Sequence, residues 1–272
     1  MSIPKIIHHI APKKKKKWHP MWKVCYDSWK SNFSEHEYQY ILWNDKEDID
    51  LFIKNEYPQY WKIYKNLPSH MLKIDFARIA IIYKYGGIFS DMDIYCYQNF
   101  YQDFDGKDCC LVECTDWDGL YNREDEIVVN FFLAAEPNHV FFKDVLEKMV
   151  VNRFLYDKKT LKNILSDHKK YSYHVIEHCI MLMSRLYRTY DKSLIHILPR
   201  NNYNISMFTY HKNKKIQHMF TGMWGSDTLD EMERQRMQII EDNGKNLSHD
   251  EYLKKQYKDK TNLDMDNFKY IP

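Results

Sequence analysis

The segment from Asp75 to Ile94, DFARIAIIYKYGGIFSDMDI, constrains the fold more than any other part of this sequence. It joins an apolar helical run to two adjacent glycines and then to the short apolar strand Ile88-Phe89-Ser90. Ser69 can cap the start of the helix, and Gly86 stands where a helix C-cap is expected. A helix that turns into a buried strand within two residues is typical of an α/β domain.

The same alternation of helices and strands runs through the first two thirds of the 272 residues and predicts a mostly parallel sheet. The sequence predicts a main domain over 1–225 and a charged helical extension over 226–272. Strands are predicted at 5–10, 38–43, 88–90, 109–113 and 127–134. Helices are predicted at 20–30, 46–55, 58–66, 71–85, 138–154, 173–187 and 228–240.

Composition excludes several function classes. The chain has only seven glycines, and it contains neither a G-x-G-x-x-G dinucleotide fingerprint nor a G-x-x-x-x-G-K-[ST] phosphate loop. The net charge of +2 does not indicate a nucleic-acid partner. Six cysteines without a C-x-x-C pair predict reduced, buried thiols, and Cys109, Cys110 and Cys114 fit no standard zinc spacing. The chain shows no membrane-spanning run and no secretory signal, which predicts a cytoplasmic protein.

Two carboxylates mark the candidate site. Asp91 and Asp93 follow the predicted strand 88–90, at the end where open α/β sheets bind their ligands. Two carboxylates about 4 Å apart repel each other by about 4 kcal/mol at an effective dielectric of about 20, so a cation is expected between them. Hard oxygen ligands favour Mg²⁺ or Mn²⁺. Asp75 and Arg78 lie three residues apart on one face of the preceding helix, which leads directly into this acidic strand end.

These residues resemble the DXD-containing retaining glycosyltransferases of glycosyltransferase family 32, which include initiating mannosyltransferases and capsular polysaccharide sugar transferases. The Asp75–Ile94 segment is similar to the family pattern D-x-x-R followed by G-G-x-Y-x-D-x-D. Three further stretches are similar: IPKIIHHI at 3–10, YILWND at 40–45 and HMFTGMW at 218–224. The resemblance implies a GT-A type α/β fold with a mixed, mostly parallel sheet that binds a nucleotide sugar.

The resemblance also implies roles for individual residues. Asp75, Arg78, Asp91 and Asp93 would be the catalytic residues, with Asp75 and Arg78 holding the donor sugar. Asp91, Asp93 and His218 would bind Mn²⁺ or Mg²⁺, which stabilises the negative charge that develops on the departing β-phosphate. The contacts expected with the UDP- or GDP-sugar come from Ile7, His8, His9, Asp91, Asn130 and Trp224. The enzyme would transfer the sugar, with retention, to a hydroxyl of a glycan, glycolipid or glycoprotein.

Two alternative functions stay open at this stage. Ser90 to Ile94 also resembles the D-x-D-x-[TV] motif of haloacid dehalogenase phosphatases, with Asp91 as nucleophile and Asp93 as acid. A glycosyltransferase fold that has lost its chemistry could also serve as a carbohydrate-binding module, since Ala11-Pro12 stands where the family has Trp.

Two further expectations concern single segments. The lysine run from Lys13 to Lys17 is expected to be a solvated loop, or a contact with phosphate or with an anionic membrane surface. Gly87→Val tests whether Gly86 and Gly87 form the turn that delivers Asp91 and Asp93: a stable, inactive protein would support this role, and full activity would contradict it.

Overall fold

Eight strands form two sheets in the computed structural model, which describes residues 2–67, 69–114, 127–152, 177–199, 202–203 and 213–219. The strands are β1 (Ile6–Ala11), β2 (Gln39–Asn44), β3 (Gly87–Ser90), β4 (Ile94–Cys96), β5 (Cys109–Cys114), β6 (Ile127–Ala135), β7 (His196–Leu198) and β8 (Ile216–His218). The main sheet has the order β2-β1-β3-β6-β5-β7, and β4 pairs with β8 in a small second sheet.

The main sheet is mixed and mostly parallel. Strand β1 runs parallel to both β2 and β3, and β7 runs parallel to β5. Strand β6 is antiparallel to both of its neighbours, β3 and β5, so it alone is reversed among the six described strands. The predicted α/β fold with a mixed, mostly parallel sheet is therefore confirmed.

The chain changes direction across the sheet at β1. From β1 it passes to β2 on one side and then returns to β3 on the other side, so the strand order switches between β1 and β3. Both strands are parallel, and their carboxyl ends share one edge of the sheet. Such a switch point leaves a crevice outside the strand ends, which is where α/β sheets bind ligands.

Helices cover both faces of the main sheet. They are α1 (Pro20–Asn32), α2 (Glu47–Glu56), α3 (Pro58–Lys65), α4 (His70–Tyr85), α5 (Val140–Asn152) and α6 (Leu182–Thr189), and a π-helical turn at Glu177–Met181 precedes α6. Alternate residues of β3 point to opposite faces. Ile88 packs with Trp29 and Phe33, whereas Phe89 packs in a second cluster with residues of α4. All nine residues of β6 are buried, as expected of a strand covered on both faces.

Most predicted elements are confirmed to within one or two residues at the ends that the structure describes. Helix α5 begins at Val140 instead of at residue 138, because Asn138 has a positive φ of 61° and its amide donates to the Tyr83 carbonyl. The short strands β4, β7 and β8 were not predicted. The predicted helix at 228–240 and the extension at 226–272 lie outside the described residues, so the domain division stays a prediction.

The thiols behave as the cysteine count predicts. Five of the six cysteines lie in parts of the chain where their side chains are described, and all five are free and buried: Cys25, Cys96, Cys109, Cys110 and Cys179. Burial raises the pKa of the Cys110 thiol to about 12, so it remains protonated and unreactive.

The turn between α4 and β3 requires glycine at both positions. Gly86 ends α4 with a φ of 63° and Gly87 opens β3 with a φ of 86°, a region that favours glycine. A Cβ on Gly87 would lie 2.5 Å from the main-chain oxygen of Ile6 at the start of β1. Valine at this position would therefore strain the backbone and press against β1, so loss of activity in Gly87→Val would not by itself test the role of the turn.

We expect Gly87→Ala to lower the free energy of unfolding by at least about 2 kcal/mol, because backbone strain and a main-chain contact add together. Gly106→Ala is the matched control. Gly106 has a similar φ of 69°, but no atom lies within 4 Å of the added Cβ, so about 1–2 kcal/mol is expected from strain alone. Denaturant unfolding of both variants measures the difference. Equal losses would show that the contact with Ile6 contributes nothing.

Candidate active site

The switch point brings the end of β1 against the end of β3. His9 on β1 donates from Nδ1 to the main-chain oxygen of Ser90 at 2.8 Å. Asp91 follows directly, and its amide donates to the carbonyl of Phe131 on β6 at 2.9 Å. Asp91 is thus fixed at the carboxyl edge of the sheet by main-chain bonds, with its side chain 26% exposed.

Helix α4 supplies two charged side chains beneath this edge. Ser69 caps the helix by accepting from the Leu72 amide, and Asp75 and Arg78 follow on one buried face. Both charged residues are almost fully buried, with exposures of 2% and 3%. Arg78 places Nη2 3.3 Å from Asp75 Oδ1 and Nη1 3.2 Å from Asp91 Oδ2. One guanidinium therefore bridges a helix carboxylate and the first carboxylate of the Asp-x-Asp pair.

Asn130 on β6 completes the charge cluster. Its main-chain oxygen accepts from Arg78 Nη1 at 2.9 Å, and its side-chain Nδ2 donates to Asp75 Oδ1 at 2.9 Å. The structure thus gathers four of the residues predicted from the sequence: Asp75, Arg78, Asp91 and Asn130. Their roles toward a ligand stay predictions.

Acidic charge exceeds basic charge in this cluster. Burial raises the pKa of Asp75 to about 6, although the neighbouring Arg78 acts in the opposite direction. Burial also raises the pKa of Asp91, where Arg78 again opposes the shift and the nearby Asp93 carboxylate adds to it. Both aspartates would hold their negative charge more readily if a further cation were present.

The second aspartate of the pair, Asp93, contacts His218, which lies far along the chain. Asp93 Oδ1 lies 3.2 Å from His218 Nε2. The contact follows from the small sheet, in which Ile94 on β4 faces His218 on β8, and the Met219 amide donates to the Asp93 carbonyl at 2.8 Å. His218 therefore lies beside the Asp-x-Asp pair, and its role as a metal ligand stays a prediction.

The donor chemistry of these residues fits a divalent cation that is shared with phosphate. Among the described residues there is no cluster of three or more His, Cys, Asp or Glu side chains that already encloses an ion position. Asp93 and His218 are in contact, and Asp91 adds a partly exposed carboxylate beside them. Mg²⁺ and Mn²⁺ commonly use one or two carboxylates and take the remaining oxygens from a substrate phosphate, so the set fits.

Three buried polar atoms in this region lack a hydrogen-bond partner within the described parts of the chain. They are Asp75 Oδ2, Arg78 Nε and His9 Nε2. A buried polar atom without a partner costs about 1–3 kcal/mol, so native proteins rarely leave several close together. Such a concentration of unpaired donors and acceptors is typical of a site that a polar ligand completes.

The structure does not bring the side chains of Ile7 and His8 to this site. Ile7 is fully buried in the core with Trp29 and Ile88. His8 is also fully buried; its Nε2 donates to the Gly86 carbonyl at 3.0 Å, and its Nδ1 accepts from Trp43 Nε1 at 3.2 Å. Both side chains are used in strand packing, and their contacts with a nucleotide sugar stay predictions.

His8 makes the stability depend on pH. Burial lowers its pKa from 6.5 to about 4, and the Trp43 N–H that points at Nδ1 also disfavours a proton there. The unfolded chain binds this proton below pH 6.5 while the folded chain does not, so stability falls as the pH drops from 6.5 towards 4. We expect His8→Gln, which keeps a donor for Gly86, to reduce this slope by up to about 1.4 kcal/mol per pH unit.

Melting temperatures of both proteins at several pH values between 7.5 and 5 measure the effect of His8. If the melting temperatures of the two proteins changed in parallel with pH, this would contradict the attribution of the pH dependence to His8. His9 has a similarly lowered pKa of about 4 because it too is buried, so a residual slope is expected in the His8 variant.

Two neighbours of the cluster were not identified from the sequence. Phe89 holds its ring 5.2 Å from the Arg78 guanidinium carbon. Cys179 lies fully buried on the π-helical turn, and its thiol pKa is raised by burial and by the nearby Asp75. A π-helical turn often marks a functional site, but no sequence pattern identifies one. The remaining predicted contact, Trp224, lies outside the described residues together with its flanking glycines.

A known protein family matches the segment of the chain that contains these site residues. Residues 20–111 match the family described as "Glycosyltransferase sugar-binding region containing DXD motif", and this range contains Asp75, Arg78, Asp91 and Asp93. The match shows that this segment, 92 of the 272 residues, is similar to that family.

Three relatives illustrate how far the similarity to known proteins extends along this chain. Inositol phosphoceramide mannosyltransferase 3 of Schizosaccharomyces pombe is 36% identical over 97 residues, which cover 35% of this chain and 25% of the relative. Mannosyl phosphorylinositol ceramide synthase SUR1 of Saccharomyces cerevisiae is 32% identical over 150 residues, which cover 54% of this chain and 35% of the relative. The uncharacterized glycosyltransferase L373 of Acanthamoeba polyphaga mimivirus is 28% identical over 161 residues, which cover 56% of this chain and 57% of the relative. The chain thus matches between a quarter and about three fifths of these proteins.

Solved glycosyltransferases show a looser likeness. The PaToxG glycosyltransferase has a TM-score of 0.45 and 17% identity, covering 71% of this chain and 73% of its own. A glycosyltransferase involved in glycosylation of the major capsid of PBCV-1 has a TM-score of 0.40 and 12% identity, covering 85% and 98%. At these values the likeness carries no conclusion about function.

None of the described helices has the length and apolar character that are needed to cross a membrane. The cytoplasmic location expected from the sequence stays a prediction.

Proposed function

We propose that this protein is a metal-dependent glycosyltransferase that moves a sugar from a UDP- or GDP-sugar to an acceptor hydroxyl with retention. The observation that carries the proposal is the position of Asp91 and Asp93 at the switch point, with Arg78 bridging Asp91 to the buried Asp75. The match of residues 20–111 to the DXD glycosyltransferase family supports it.

Different residues would bind the diphosphate and the sugar of the donor. Asp93 and His218, together with Asp91, would hold Mn²⁺ or Mg²⁺ against the donor diphosphate. When bound, the cation neutralises the negative charge that grows on the leaving phosphate. The unpaired Oδ2 of Asp75 can accept from a sugar hydroxyl, and the unpaired Nε of Arg78 can donate to one. Asn130 keeps the Asp75 carboxylate in place through its 2.9 Å hydrogen bond.

We infer the acceptor and the transferred sugar from the relatives and from the resemblance. The names of the fungal relatives describe mannose transfer to inositol phosphoceramide, which supports a mannosyl group and a glycolipid acceptor. Glycan and glycoprotein acceptors are the other members of the class that the sequence predicts. With retention, the acceptor hydroxyl attacks from the face that the diphosphate leaves, through an oxocarbenium-like transition state.

The two alternative functions are less well supported. A phosphatase nucleophile needs a carboxylate that is free to attack, whereas the Asp91 carboxylate is held 3.2 Å from Arg78. If Asp91 were such a nucleophile, Asp91→Asn would abolish hydrolysis of p-nitrophenyl phosphate. A lapsed carbohydrate-binding module would retain the fold without metal-dependent nucleotide binding.

Calorimetry with a panel of UDP- and GDP-sugars, with and without Mn²⁺, tests the proposal. We expect one donor to bind in the presence of Mn²⁺ and its binding to be lost in EDTA. Asp27→Asn, at an exposed aspartate of α1, is the control that should bind normally. Absence of nucleotide-sugar binding to the folded protein in Mn²⁺ would contradict the proposal.

A further inference from the structure

An ordered lysine turn, formed by Lys13 to Lys17, follows β1 at the edge that holds the candidate active site. The Lys17 amide donates to the Lys14 carbonyl at 2.8 Å, and the Trp18 amide donates to the Lys15 carbonyl at 3.0 Å. The Trp18 indole closes the turn by donating to the Pro12 carbonyl at 2.7 Å. All five lysines are exposed. The turn therefore presents five ammonium groups from a fixed backbone.

Most of this positive charge is not neutralised by the protein. Lys13 lies 3.5 Å from Glu47, but both of these side chains are about three-quarters exposed, so the pair is weak. Lys15 lies 5.5 Å from the Trp18 ring. Among the described residues, no carboxylate forms an ion pair with Lys14, Lys15, Lys16 or Lys17. Since the whole chain has a net charge of only +2, the turn is a local concentration of charge.

The lysine turn is linked to the candidate active site through the residue that follows it, Trp18. Trp18 belongs to one buried cluster with Trp22, Tyr26, Ala11 and Met92. Met92 is the residue between the two aspartates of the Asp-x-Asp pair. A surface that contacts the lysines would therefore lie beside the opening at the ends of β1 and β3.

The form of the turn indicates the kind of partner. Lysines are compact point charges on flexible stems, and they do not form the rigid fork with which arginine binds a single phosphate. Several such charges on one exposed turn complement a surface that carries many mobile anions, as an anionic leaflet does. We propose that the lysine turn docks this protein on an anionic phospholipid bilayer. That the docked site then faces a lipid-linked acceptor rests on the proposed function; the docking itself does not.

Sedimentation with phospholipid vesicles tests the docking without any sugar donor. Vesicles of phosphatidylcholine alone are compared with vesicles that also contain phosphatidylserine, at low and high salt. We expect the full chain to sediment with the phosphatidylserine vesicles only, and its partition to fall as salt rises. Each lysine near the surface contributes about a fivefold factor, so K14Q/K15Q/K16Q/K17Q should weaken the partition by about 100-fold or more.

A matched variant controls for total charge. K54Q/K62Q/K65Q/K148Q removes four exposed lysines from α2, α3 and α5, and it should lose less than about threefold because those lysines lie outside the turn. Equal losses in the two quadruple variants would overturn the proposal, and so would equal binding to both kinds of vesicle. Release of the protein from vesicles by inorganic pyrophosphate at matched ionic strength would also overturn it, by showing a discrete phosphate site. Because no donor is present, these results are independent of whether sugar transfer occurs.

Discussion

Asp93→Asn is expected to lower the rate of sugar transfer by about 100- to 1,000-fold, because it removes the carboxylate that would hold the cation at the leaving phosphate. The fold should be retained. The Asp93 carboxylate raises the pKa of Asp91 by repulsion, so its removal relieves strain between like charges. Because the change also weakens the 3.2 Å contact between Asp93 and His218, the two effects oppose each other and the melting temperature should change little.

Steady-state kinetics with a saturating donor and a melting curve together test this prediction. Asp27→Asn makes the same chemical change at an exposed position of α1, and it should retain full activity. A fall in both activity and stability would indicate that Asp93 acts mainly through the packing of β4 against β8. Activity within a few-fold of the original would show that Asp93 holds no catalytic cation.

Arg78→Gln is expected to lower the free energy of unfolding by about 3–5 kcal/mol, because breaking a buried ion pair leaves an uncompensated charge. Arg78 is 3% exposed and contacts Asp75, Asp91 and the Asn130 carbonyl. Glutamine cannot reach all three acceptors or neutralise the carboxylates. Arg78→Lys should also be destabilised, since an ammonium lacks the planar fork that spans Asp75 and Asp91.

A double-mutant cycle separates the charge of Arg78 from its packing. If the unpaired Asp75 carboxylate causes the loss, Asp75→Asn in the Arg78→Gln background should recover part of the stability. Lys54→Gln, which removes an exposed cation of α2, should change the free energy of unfolding by less than about 0.5 kcal/mol. Additive losses from Asp75→Asn and Arg78→Gln would contradict an energetic coupling between the two residues.

The sequence is informative wherever local patterns determine the structure. The periodicity of α4, its Ser69 cap and the two glycines predict the helix, the turn and the position of Asp91 correctly, because all of these depend on neighbouring residues. The three-residue strands β4, β7 and β8 are too short to show a period. Their existence depends on pairing with distant segments, as when His218 meets Ile94.

The same distinction applies to the candidate site. The spacing of Asp75 and Arg78 predicts that they share a helix face, but it cannot predict that Arg78 reaches Asp91 or that Asn130 binds Asp75. Those contacts depend on how β6 lies beside β3 in the sheet. For the same reason, no pattern in KIIHHI reveals that His8 lies on a strand paired on both sides, with its ring beside Trp43 and Tyr85.

Release of the nucleotide from a UDP- or GDP-sugar, measured with Mn²⁺ and an acceptor such as an inositol-phosphate lipid, tests the central claim most directly. We expect release that needs both the acceptor and Mn²⁺, that stops in EDTA and that is lost in Asp93→Asn but not in Asp27→Asn. Release that persists in EDTA, or that is equal in the two variants, would contradict a metal-dependent transfer at the Asp91 and Asp93 site.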